Sequence, residues 1–219
     1  MSWVADNSAL IWEQLREHLY LALIPMLLGL LISLPLGYVA TRYSWLANPL
    51  VALGGVLYSL PSIALFIVLP AVLGTGILSP INIIVALTIY AVSLLIRNVI
   101  DGLRSVPEEV LQAAVSVGYG TLRRVLTIDL PIAIPVIFTG LRVVTVANIS
   151  MVSVGAIIGV GGLGELFTQG FQQDFLTPII VGVVLSLALA LVCDIALVGL
   201  QRLLTPWARA VAPVKEAIA

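Results

Sequence analysis

One lysine, one histidine and one cysteine are all that this 219-residue chain holds of three residue types on which much protein chemistry depends. With Cys193 alone no internal disulfide can form, and a single thiol inside an apolar run packs as a small hydrophobe. His18 beside one cysteine is too little for a metal site or a Cys–His nucleophile pair, so no metal ligand and no catalytic residue is assigned. The only lysine, Lys215, belongs to no G-x-x-x-x-G-K-[ST] loop, so the chain cannot cradle and hydrolyse ATP by itself. Charge is scarce too. Only 10% of residues are charged and the net charge is −1, which excludes a basic nucleic-acid binder. The opening residues Met1 to His18 carry acids and no basic segment, unlike a cleaved signal peptide.

What the chain has instead is apolar length. Hydrophobic residues make up 61% of it and its mean hydropathy is +1.17, which points to the bilayer as solvent. Apolar stretches fall at 19–40, 49–74, 81–99, 132–158 and 177–200. A helix needs roughly 20 such residues to cross the hydrocarbon core, so the reading is an all-α protein of about five spans in one domain, 1–219. Pro25, Pro35, Pro61, Pro70 and Pro135 inside these stretches predict kinks rather than ends. Residues 9–18 are amphipathic and suit a helix lying among the lipid headgroups.

Basic residues set the orientation. The links at 41–48, 100–131 and 201–219 hold Arg42, Arg104, Arg123, Arg124, Arg202, Arg209 and Lys215. Those at 75–80 and 159–176 hold no Lys or Arg, and the N-terminal tail holds only Arg16. A cytoplasmic C-terminus and an outward N-terminus follow. Trp3, Trp12, Trp45 and Trp207 all fall outside the apolar stretches, as an interfacial belt requires.

The longest inner link, 105–131, is helical in pattern. Ser105 and Glu108 have capping-box spacing with Pro107 between them, and Val106, Val110, Ala114 and Val117 form one apolar stripe. Gly118 and Gly120 interrupt it, and Thr121 is placed to cap a second short helix bearing Arg123 and Arg124. Two short amphipathic helices about a glycine hinge either join spans as a solvated connector or dock into a partner.

Within the spans, Arg142 and Asp194 fall at similar depth, and an isolated membrane charge is costly, so an ion pair is expected. Asn148, Ser150 and Ser153, with Ser59 and Ser62 about Pro61, are either helix–helix bridges or the wall of a passage. Arg97 is expected to reach back to the headgroups. Tyr58, Phe66, Tyr90 and Phe138 supply few aromatics for holding a cationic solute. Gly159-Val-Gly161-Gly162-Leu-Gly164 fits a dinucleotide fingerprint, but follows a membrane span rather than a strand. Turning and close packing is the expected use, with Glu165 and Asp174 either solvated or facing a docking protein.

Gln112-Ala113-Ala114, three residues, Gly118, nine residues, then Ile128-Asp129-Leu130-Pro131 resembles the EAA loop of ABC-importer permeases. "LYSLPSIALFIVLP", "GLRSVPEEVLQAA", "GLRVVTVANIS" and "IGVGGLGELFTQG" extend the likeness over most of the chain, toward the glycine betaine, choline and carnitine osmoprotectant group. Gln112 departs from the family's usual glutamate; Glu108 and Glu109 are one turn earlier. The resemblance implies a type I importer (MetI-like) permease in the bacterial cytoplasmic membrane. It implies that Glu108, Glu109, Gln112, Ala113, Ala114, Gly118, Ile128, Leu130 and Pro131 form the coupling loop gripped by a separate ATPase, which carries ATP and Mg. It implies a second permease subunit, identical or a sister chain, and an extracytoplasmic binding protein that captures the ligand. An amino acid or an ergothioneine-like betaine is the alternative cargo. A passive channel and an intramembrane enzyme are the rival classes, the latter opposed by having only Arg142 and Asp194 as ionisable groups at depth.

Overall fold

A computed structural model of the chain describes residues 2–209 and, within them, contains helices and no strands. Lys215 lies outside the described residues. A short α1 (Ser2–Asp6) precedes α2 (Ser8–Arg42), which runs unbroken for 35 residues, about 52 Å at 1.5 Å per residue. The expected surface helix at 9–18 is therefore corrected: those residues are the first turns of the first span. They are held there because Gln14 and His18 are buried against other helices rather than laid on a headgroup surface.

The second apolar stretch is two helices, α3 (Ser44–Tyr58) and α4 (Ser62–Leu73), bent by 98°. Pro61 ends α3 here rather than kinking it. Lacking an N–H, it caps α4 in an extended conformation (ψ 127°). The Leu60 carbonyl beside the break accepts a 2.6 Å bond from the Tyr90 hydroxyl. Pro25, Pro35, Pro70 and Pro135 remain inside helices. Neither half of the bent pair is long enough to cross alone, but the pair must return the chain across the bilayer. The proof is geometric: Gly29 of α2 lies against Ala91, and Gly37 against Val99, of α5 (Pro80–Arg104). An eight-residue step on each helix in the same sense means that α2 and α5 run parallel.

Helix α5 is central, packed on α2, α3 and α8 (Leu130–Gly155). Gly102 faces Ala133 and Asn98 faces Gly140, so α5 and α8 are antiparallel. Small residues at these crossings let backbones approach closely, the usual basis of helix association in lipid. The largest core cluster gathers Leu21, Phe66, Ile83, Leu87, Tyr90 and Val152. Helix α10 (Leu176–Leu204) packs on α8 and on α9 (Gly164–Gln172), burying only Pro178 and Gly182. Its other side presents Ile180, Val184, Leu187, Leu191 and Ile195 outward. Among the described residues four helices are long and apolar enough to cross a membrane, and with the bent pair the spans number five.

Candidate coupling segment and membrane sites

The segment between α5 and α8 begins at a different cap from the expected one. Ser105 Oγ bonds back to the Gly102 carbonyl at 2.7 Å, so no capping box forms with Glu108. Helix α6 (Glu108–Ser116) starts behind Pro107, whose ring fixes φ at −61° and has no N–H to orphan. Glu108 and Glu109 stand in its first turn, where the helix dipole favours negative charge. Gln112 Nε2 reaches only Glu108 Oε1, at 3.4 Å, and Ala113 is exposed.

The spacing of Ala114 and Gly118 has a structural cause. Tyr119 N–H donates to the Ala114 carbonyl and Gly118 N–H to the Val115 carbonyl, both at 3.0 Å. These are the two bonds of a Schellman helix end, which requires a left-handed residue one position beyond the cap. Gly118 supplies it with φ +85°. Ala114 is the buried contact of α6, at 4% exposure, while Val117, assigned to the same stripe, is 74% exposed. Val106 is buried and Val110 half-buried, so the stripe holds for its first three members only.

The second helix is shorter than expected. α7 (Thr121–Arg124) has one turn, its cap is Gly120 rather than Thr121, and it continues through a π-turn (Val125–Asp129) into α8. From Thr121 to Ile158 the path is nearly continuous. A π-turn inserts an extra residue per turn and is frequent at functional positions. Here it brings Arg124 Nε within 3.3 Å of Asp129 Oδ2, with Asp129 almost fully buried. Ile128, Leu130 and Pro131 sit half-buried at the joint. Pro131 occupies the first turn of α8, where a proline is tolerated. Outside this packing, Val115, Val117 and Leu122 stay exposed, an uncovered apolar surface on the segment.

In the spans, Arg142 Nε and Nη2 donate to the two carboxylate oxygens of Asp194 at 2.6 and 2.8 Å, a forked pair joining α8 and α10. The polar residues of α8 divide between two sides. Asn148 is buried, and its Nδ2 donates to the Ala22 carbonyl of α2 at 3.1 Å. It bridges α8 to α2. Ser150, two positions on and so about 200° around the helix, is exposed together with Thr139, Val143 and Val146. Ser153 is half-buried, on the Ser150 side. Ser59 and Ser62 flank the bend, Ser59 exposed with its hydroxyl on the Val56 carbonyl at 2.7 Å. Phe66, Tyr90 and Phe138 are core residues, leaving only Tyr58 partly open. Arg97 points outward and pairs with Asp101 one turn on at 3.6 Å.

At the opposite end the glycine loop is clamped to α2, a contact that the sequence patterns left unnoticed. Leu163 N–H donates to His18 Nδ1 at 3.1 Å, so Nε2 carries the ring proton and donates to the Ile149 carbonyl at 2.9 Å. Gln14 Nε2 donates to Glu165 at 2.6 Å. The spacing of Gln14 and His18, four residues apart on one helix face, was the available signal. Gly159 and Gly162 have positive φ, and a side chain at Gly161 would run into Glu17. The glycines thus serve turning and close approach, and no strand precedes them.

Residues 12–210 match the family model described as "Binding-protein-dependent transport system inner membrane component". The chain is 33% identical over 207 residues to the osmoprotectant import permease protein OsmW of Salmonella typhimurium, covering 93% of this chain and 96% of the relative. It is 34% identical over 206 residues to the choline transport system permease protein OpuBB of Bacillus subtilis, covering 94% of each. An inward-facing structure of the MetNI methionine ABC transporter superposes with a TM-score of 0.79 at 23% identity, covering 91% of this chain and 98% of that one, so the fold is shared. The chain belongs to the family of inner-membrane components of binding-protein-dependent transport systems, as a multi-pass permease.

Proposed function

We propose that this permease moves a small quaternary-ammonium osmoprotectant, of the glycine betaine, choline and carnitine class, inward across the cytoplasmic membrane. The observation that carries the substrate class is the one-third identity, over nearly the whole of both chains, to permeases named for osmoprotectant and choline transport. A glycine betaine/carnitine/choline permease of Bacillus subtilis, OpuCB, is 30% identical over 206 residues and supports the same class.

The energy comes from a separate ATPase that grips 105–131 at the cytoplasmic face. The exposed Glu108, Glu109, Gln112 and Ala113, beside the uncovered Val115 and Val117, support that docking. Gly118, Ile128, Leu130 and Pro131 hold the grip at a fixed angle to α8. ATP and Mg are held by the partner. Closure of two ATPases draws two such segments together and turns the packed helices as rigid bodies, since a packed core switches between arrangements rather than deforming. Two permease subunits face each other, the uncovered side of α8 at Thr139, Val143, Val146 and Ser150 offering the wall of a shared passage. An external binding protein delivers the ligand. The Arg142–Asp194 pair locks α10 to α8 during the turn. The N-terminus is outside, the C-terminus inside.

The test is reconstitution of the chain with its co-purifying subunits in liposomes, with labelled choline, glycine betaine, carnitine and methionine offered in turn. ATP-dependent uptake of one of the first three supports the assignment. Uptake of methionine alone overturns the substrate class, and uptake without ATP overturns the importer reading in favour of a channel. In a Cys193→Ala background, Leu122→Cys is expected to react only with reagent on the cytoplasmic side and Leu78→Cys only from outside.

A further inference from the structure

Two clefts meet at the end of the bundle where α2 and α5 finish and the coupling segment begins. One, of about 390 Å³, is bordered by Arg42, Arg104 and Arg124, with the hydroxyl-bearing Tyr38 and Thr41 between them. Arg124 is engaged by Asp129, but Arg42 and Arg104 make no ion pair or hydrogen bond among the described residues. Glu108 is the one other carboxylate there, so three arginines face two carboxylates and the cleft keeps a surplus of one positive charge. The second cleft, of about 420 Å³, is walled by Leu34, Leu103, Val125, Leu126 and Leu130, with Leu122 at its edge. Tyr38 and Leu103 line both, and Arg124 and Asp129 of the first are sequence neighbours of Val125 and Leu130 of the second, so a cationic chamber lies alongside an apolar channel.

We propose that these joined clefts hold one anionic phospholipid, its phosphate on Arg42 and Arg104 and an acyl chain along Leu34, Leu103 and Leu126. Charge complementarity selects the headgroup, because unpaired arginines at a membrane boundary attract phosphate with about 1 kcal/mol each. The apolar channel selects a lipid over a soluble phosphate, since a free anion would leave it unfilled. Arg42 ends the first span, Arg104 ends α5, and Leu126 lies in the π-turn before α8, so a single lipid touches the adjoining ends of α2 and α5 and the turn that leads into α8. The lipid therefore fastens the coupling segment to the bundle. This inference stands whatever solute the permease carries.

The complete assembly, purified in detergent and titrated with phosphatidylglycerol and phosphatidylcholine of the same chains, is read by native mass spectrometry. Preferential retention of one phosphatidylglycerol per permease chain is expected. The double substitution Arg42→Gln/Arg104→Gln weakens that retention roughly thirty-fold, about 2 kcal/mol at 1.4 kcal/mol per decade. Leu126→Trp, which fills the channel and keeps both charges, lowers it as well. Glycerophosphoglycerol, the headgroup without chains, does not displace the lipid at equal concentration. Equal retention of the two lipids, unchanged retention in the arginine variant, or displacement by the chainless headgroup overturns the proposal. Should the arginine variant fail to assemble, the comparison of the two lipids on the native chain decides.

Discussion

Replacing Gly118 tests the hinge by backbone conformation alone. A Cβ built there meets no atom within 4 Å, so a small side chain causes no clash within the subunit. What it meets is φ +85°, where an L-residue pays about 1–2 kcal/mol. Asparagine tolerates this region best of the non-glycine residues, and a β-branched residue tolerates it worst. The Schellman bonds at Ala114 and Val115 are lost when the residue leaves that region, and α6 then points elsewhere. A penalty of this size lowers the population of the native hinge about 5–30-fold, yet it is a small part of a total stability of roughly 5–15 kcal/mol. The expected result is a folded subunit whose melting temperature falls by at most about 2–8 °C and a transport rate ordered glycine, asparagine, alanine, valine. ATP-driven uptake in proteoliposomes gives the rate, and thermal unfolding in detergent gives the control. If alanine outperforms asparagine, side-chain volume and not backbone conformation governs the site. If Gly118→Val transports at the native rate, the hinge couples nothing.

Four further outcomes are expected. Gly164→Ala places a methyl group 2.5 Å from the Ser153 carbonyl and 2.8 Å from Ala156 Cβ, so overpacking costs about 1–3 kcal/mol, whereas Gly199→Ala, with open space around it, is nearly neutral; paired melting curves check both. His18→Ala orphans the Leu163 N–H in a buried site and takes a second donor from the Ile149 carbonyl, so a loss of about 1–3 kcal/mol is expected, read by unfolding in detergent. Tyr90→Phe removes the bond to the Leu60 carbonyl at the bend, costing about 1 kcal/mol with loss of protease resistance near Pro61. Neutralising either Arg142 or Asp194 alone lowers the melting temperature more than neutralising both; a double variant worse than either single one refutes their mutual pairing.

Most of the architecture was legible because the bilayer imposes a simple rule. Long apolar runs must be helices, since lipid offers no water to satisfy an open backbone. The hinge at 114–119 was legible for a different reason: its Ala–x3–Gly spacing encodes a helix end that only certain bonds can close. Where reading failed, the competing signals were local. Ser105 with Glu108 has the spacing of a capping box, but the serine hydroxyl found a nearer acceptor at Gly102, and proline took the first position. Pro61 looks like Pro25 and Pro35 in an apolar run, yet it breaks its helix. What differs is a hydroxyl thirty residues away, on Tyr90, that satisfies the freed carbonyl.

By itself the sequence determined the solvent, the helical class, the number of crossings, and the presence of a hinged, polar-faced segment between the third and fourth spans. It also named Arg142 and Asp194 as a pair, because a charge in lipid has few choices. Tertiary structure alone decided which face each polar side chain serves. Asn148 and Ser150 are two residues apart and read alike in the chain, but a helix turns them to opposite sides, one against the Ala22 carbonyl and one into the open. Only the packed helices bring Gln14 and His18 beside a loop some 145 residues later, and Arg42 beside Arg104. Hydropathy is a property of each residue and its near neighbours, whereas partnership across the bundle depends on how helices pack.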